Sequence, residues 1–112
     1  MGVANQDAGK AAVASDQAGI AKVLAGFGYR HAWLIDFEFV APAGHKPKPV
    51  CMFARCLITG ITLRLWESDL VHCPFDVSDD VLFVAYYASA EASCFDSLGW
   101  PRPRRMLDLF TE

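Results

Sequence analysis

The chain has no C-x-x-C pair, little charge and no long apolar run, and each shortage removes a class of protein. Its four cysteines, Cys51, Cys56, Cys73 and Cys94, lack the paired spacing of a structural zinc site, and no secretory context suggests disulfides. Buried, reduced thiols are expected. Cys51 and Cys56 lie five apart, which on one continuous strand puts them on opposite faces. His72-Cys73-Pro74 holds a thiol with no base or oxyanion donor fixed beside it, so no nucleophilic role is assigned. The longest apolar run, 81–90, has about half the length a bilayer crossing needs. Residues 1–15 are rich in Ala, Gly and small polar side chains and show no signal peptide. The expected location is cytoplasmic, with no membrane partner. Charged residues make up 21% against 54% hydrophobic, so the surface should be lean in charge. The net charge of −3 excludes a broadly basic nucleic-acid coat but permits a local acidic site that meets phosphate through a metal.

What is present fits one domain of 112 residues with an N-terminal extension over 1–30. Within the extension, Ile20, Val23, Leu24 and Phe27 follow the i, i+3, i+4, i+7 spacing of a short helix near 15–27, started by Ser15 and Asp16 and stopped by Gly26 and Gly28. Gly19 weakens it by about 1 kcal/mol relative to Ala, so docking must stabilise it. Residues 31–41 read as a strand, and the prolines and glycine of 42–49 as a surface loop. Residues 50–59 and 61–66 read as two further strands joined by a tight turn at Gly60, which gives an antiparallel meander. Residues 69–80 read as a connector and 81–86 as a strand buried on both faces. A helix capped by Ser89 and ended by Gly99, then a short strand over 106–110, complete an α/β order. The fourth and fifth strands are expected to be linked as a parallel crossover.

Inside the first strand, Trp33-Leu34-Ile35-Asp36-Phe37-Glu38-Phe39-Val40, two carboxylates interrupt an otherwise apolar and aromatic run. Side chains two apart on a strand share a face, with Cβ atoms roughly 6.5 to 7 Å apart. Two anions so placed repel unless a cation lies between them or a proton is taken up. Oxygen-rich sites of this kind suit Mg²⁺ or Mn²⁺. An edge strand whose charges block aggregation gives the same D-x-E pattern.

With D-x-E on the first strand of a three-strand meander, followed by strand-helix-strand, residues 31–112 resemble the N-terminal portion of the ribonuclease-H-like, DEDD-type 3′ to 5′ exonuclease domain that proofreads for family A DNA polymerases. The resemblance rests also on Ala-Tyr-Tyr-Ala-Ser-Ala-Glu at 85–91, Leu-Gly-Trp-Pro at 98–101 and Leu-Asp-Leu-Phe at 107–110. It implies a truncated α/β fold, with Asp36, Glu38 and Glu91 as catalytic and metal-ligating residues and two divalent ions, Mg²⁺ or Mn²⁺, as cofactors. Asp36 would bridge both ions, Glu38 would hold the nucleophile-side ion, and Glu91 would support the other through water. Glu91 stands where the family has Asp, and Tyr87 where it has Asn. Asp108 resembles a non-catalytic Asp of the fifth strand. The family's third motif, Tyr or His followed four residues later by Asp, lies further along than Glu112, so little activity is expected of the chain alone. The implied partner is the 3′ end of single-stranded DNA. The alternative expectation is a non-catalytic remnant that packs against a polymerase portion or associates with itself.

A bound nucleotide also needs stacking surfaces. Phe37 and Phe39 point away from Asp36 on a regular strand and read as core. Trp66, Tyr86 and Tyr87 are candidate stackers, with ordinary core packing the commoner role for such residues. Arg102, Arg104 and Arg105 form the densest basic cluster, and His45, Lys46 and Lys48 a smaller one.

Overall fold

A computed structural model describes residues 17–110. Residues 17–26 are helical (α1), and the remaining elements follow as strands β1 (His31–Val40), β2 (Lys48–Cys56) and β3 (Thr62–Trp66), a 3-10 turn over Glu67–Val71, β4 (Val81–Ala85), helix α2 (Ala88–Leu98) and β5 (Arg105–Asp108). They build an α/β unit on one mixed sheet of five strands in the order β3-β2-β1-β4-β5. β1, β2 and β3 form the antiparallel meander, and β4 and β5 run parallel to β1. Gly60 turns the β2–β3 hairpin at φ 81°, a conformation that side chains with a Cβ resist.

Alternation along the strands makes two unlike faces. Trp33, Ile35 and Phe37 of β1, with Met52, Ala54 and Cys56 of β2 and Phe83 and Ala85 of β4, face the main core under α2. There Phe37, Phe75, Phe83, Phe95 and Trp100 pack as an aromatic cluster, mostly edge to face, with centroids 5.2 to 6.1 Å apart. The Trp100 indole N–H donates to the Leu70 carbonyl at 3.1 Å, tying the end of α2 to the 3-10 turn. On the opposite face Ala32, Leu82 and Val84 are covered by Leu24 and Tyr29. The segment before β1 thus packs into the unit, and Arg30 holds it there through Asp76 at 2.6 Å and Asp80 at 3.0 Å.

Several boundaries differ from the sequence reading. Ser89 does not cap α2: the capping position is Tyr87, which makes no side-chain cap bond. The last strand ends at Asp108, whose carboxylate accepts the Phe110 N–H at 2.9 Å and curls the chain away. Of the predicted apolar stripe on α1, only Leu24 packs inward, while Ile20, Val23 and Phe27 are exposed. Ser15 and Asp16, expected to start that helix, lie outside the described residues. No helix among the described residues is long and apolar enough to cross a membrane.

Candidate functional site

Strand β1 is longer than its parallel neighbour, and that inequality creates the site. Pairing between β1 and β4 ends at Leu34 and Val84, whereas β1 continues to Val40 against β2. The N–H of Phe37 therefore lies past the last paired residue on that side. A buried strand N–H without an acceptor is costly. The acceptor comes from 54 positions away: α2 starts just past the end of β4, and Glu91 in its first turn takes the Phe37 N–H on its carboxylate at 3.0 Å.

Glu91 is 5% exposed, the sole charged residue in the buried set among the described residues. Burial pushes its carboxyl up to about 7, against the Phe37 hydrogen bond, which favours the anion, and with help from the nearby charges of Asp36 and Glu38. The Cys94 thiol, one helical turn on, is pushed up to about 12 by burial and by Glu91. The three predicted carboxylates thus share an electrostatic neighbourhood.

They do not share a face. Asp36 and Glu38 project from the exposed side of β1, whereas Phe37 between them and Glu91 beyond it belong to the α2 side. Pairing extends each carboxylate into a row across the meander: Asp36, Phe53 and Arg64 in one, Glu38, Cys51 and Trp66 in the next. The rows line a cleft of about 200 Å³. The Arg64 guanidinium lies over the Phe53 ring, 5.4 Å from its centroid. A bulge between Glu38 and Phe39 ends the regular alternation immediately after the second carboxylate.

The donor set suits a hard divalent cation: all three groups offer oxygens, and their mutual repulsion is what such an ion relieves. Asp36 and Glu38 are the pair that would hold it, with Glu91 behind them. Among the described residues no three His, Cys, Asp or Glu side chains stand grouped closely enough to hold an ion as they lie.

The other sequence candidates sort clearly. Phe37 is core, and Phe39, past the bulge, is 37% exposed. Trp66, Tyr86 and Tyr87 are surface residues rather than core ones, at 67%, 68% and 50% exposure. Tyr86 and Tyr87 lean on Phe110, with centroids 5.8 and 4.7 Å away. Arg102 is engaged by both carboxylate oxygens of Asp96 at 2.9 and 2.5 Å, and Arg104 approaches Asp79 at 3.7 Å. Lys46 of the loop and Lys48, the first residue of β2, line another, more open hollow with Glu67 and Ser97. Cys51 and Cys56 face opposite sides, the first into the cleft and the second into the core. Sequence reasoning missed Arg64 as a neighbour of Asp36. Alternation along 62–65 sets the face of Arg64, and pairing through Phe53 is what places it across from the carboxylate.

Compared with protein-family models, with curated proteins and with solved structures, the chain gives no match.

Proposed function

We propose that this chain carries the acidic half of a metal-dependent phosphodiesterase site of the DEDD 3′ to 5′ exonuclease type, on a ribonuclease-H-like sheet, acting on the 3′ end of single-stranded DNA. The observation that carries the reading is the 3.0 Å bond between Glu91 and the Phe37 N–H, which ties the helix after the fourth strand to the centre of Asp36-Phe37-Glu38. The strand order and the parallel β1-β4-β5 half agree with it.

In this reading Asp36 and Glu38 hold Mg²⁺ or Mn²⁺ from the open face. Glu91 fixes β1 at Phe37, behind the pair. A bound divalent ion supplies a polarised water and stabilises charge on phosphate oxygens. Asp36 and Glu38 alone offer an ion few ligands, so metal should bind weakly and DNA be digested little. The alternative, an interaction module that packs against a polymerase portion or another copy, is favoured by the exposed Tyr86, Tyr87, Leu109 and Phe110 at one corner.

Calorimetric titration with Mn²⁺ tests the proposal. Millimolar binding by the native chain, lost in Asp36→Ala, is expected. Equal uptake by that variant would place the ions elsewhere and leave the interaction module as the better reading. Vigorous Mn²⁺-dependent digestion by the purified chain would overturn the expectation of weak activity.

A further inference from the structure

The cleft on the open face of the meander has two walls of opposite character, and the second has no task in the site described above. Strand register sets Asp36 across from Arg64 with Phe53 as floor, and Glu38 across from Trp66 with Cys51 as floor. The walls stand two strand spacings apart, about 10 Å, and the residues along each wall about 7 Å apart. Trp66 is 67% exposed, and no described ring stacks on it, in contrast to Trp33 and Trp100, which lie in the aromatic core. Arg64 makes no ion pair among the described residues. Its guanidinium is laid on Phe53, which orients it without using its hydrogen-bond donors.

We infer that this cleft is a seat for one nucleotide, in which Trp66 stacks the base and Arg64 takes a phosphate. The inference rests on the phosphodiesterase reading for the source of that nucleotide, the end of a DNA chain. The cleft's own chemistry selects the ligand class. An exposed indole beside two carboxylates would by itself suit an organic cation, but Arg64 at the fourth corner, in no ion pair among the described residues, offers a planar fork to an anion. A ligand that satisfies both β3 residues is aromatic at one end and anionic at the other. At about 200 Å³ the cleft is small for a ligand pocket, so it takes no more than one such unit, part of which stays in solvent, and not a longer stacked run.

The test uses deoxyadenosine 5′-monophosphate and deoxyadenosine, with a chelator present so that metal binding contributes nothing. Trp66 is the solvent-exposed member of the three tryptophans, so its emission is the part that a stacked base quenches. The monophosphate is expected to quench at lower concentration than the nucleoside. Arg64→Ala should bring the monophosphate down to the nucleoside's affinity and leave the nucleoside unchanged. In ligand-detected NMR, Trp66→Ala should weaken both by on the order of tenfold. Both side chains are exposed, and unchanged circular dichroism and melting of the variants would confirm that folding is intact. Equal binding by Trp66→Ala, or a nucleoside that binds as well as its monophosphate, would overturn the assignment. Quenching by choline in place of the nucleotide would overturn it in favour of a cation site. Nucleotide binding without any Mn²⁺ uptake would keep the seat and remove the phosphodiesterase reading. Mn²⁺ uptake without nucleotide binding would do the reverse.

Discussion

Glu91 has two properties that pull in opposite directions. It accepts a hydrogen bond that favours its anion, yet its carboxyl is pushed up to about 7, chiefly by burial and further by Asp36 and Glu38. The unfolded chain ionises this group in the ordinary carboxylate range, so between that range and pH 7 the folded state binds the extra proton. Stability must then fall as pH rises through this window and level off above it, by on the order of 3 kcal/mol. Urea unfolding at a series of pH values, with a chelator present, should show this decline. Glu91→Gln should flatten it, because the amide oxygen still accepts the Phe37 N–H without carrying charge. A variant with the native slope would show that another group titrates. Asp76 behaves oppositely: Ser78 and Arg30 hold its carboxyl down at about 2, so its contribution is present above the ordinary range and lost only as pH falls toward 2. Of the predicted site, Asp36 and Glu38 were legible in the sequence as a pair on one strand face, because period-two alternation needs no tertiary information. The position of Glu91 beneath Phe37 was not, since it depends on β4 ending three residues before α2 begins.

At the scale of elements, α2 is the lever that positions Glu91, and its two ends are fixed differently. Its N-terminal turn carries Glu91 against the strand, where a buried carboxylate also meets the positive end of the helix. Its C-terminal end closes on Gly99 at φ 71°, whose N–H returns to the Asp96 carbonyl. Nothing stands within 4 Å of a Cβ built there, so Gly99→Ala pays for backbone strain alone, about 1 kcal/mol, measurable by denaturant unfolding. Phe95, fully buried against Phe37, Phe75, Phe83 and Trp100, anchors the helix middle. Phe95→Ala should cost about 3 to 5 kcal/mol. It should also free Glu91, so that the pH-dependent decline shrinks along with the stability. If it costs under about 1 kcal/mol, the aromatic cluster is not what holds α2 on the sheet. The element order and the meander followed from apolar periodicity and turn residues. The caps did not: the sequence offered Ser89 as a standard capping residue, but the chain turns at Tyr87 because β4 stops at Ala85 and α2 must double back over the core face. The inward packing of the α1 stripe also failed to follow from periodicity: of its four apolar residues Leu24 alone packs against the small cluster of Ala32, Leu82 and Val84, which Tyr29, Leu34, Leu57 and Ile58 also cover.

The molecule as a whole exposes much apolar surface. Phe27, Val71, Tyr86 and Trp66 are each at least two-thirds exposed, and Tyr86, Tyr87, Leu109 and Phe110 lie together beside β5. β5 is also an edge strand of the sheet. A bare edge beside apolar side chains favours pairing with another chain. Association at micromolar concentration is therefore expected in sedimentation velocity, and Leu109→Lys should reduce it; a monodisperse monomer that binds no hydrophobic dye would contradict this. The proposed ion site rests on Asp36 and Glu38 with Glu91 of α2 close behind Phe37, and paramagnetic broadening by Mn²⁺ reads where on the chain an ion binds. On titration, the backbone amide signals of residues 36–38 and 88–91 should broaden together, ahead of those of the acidic stretch 76–80, and Asp36→Asn should abolish the effect. Broadening confined to residues 76–80, or spread evenly over all surface carboxylates, would contradict the account.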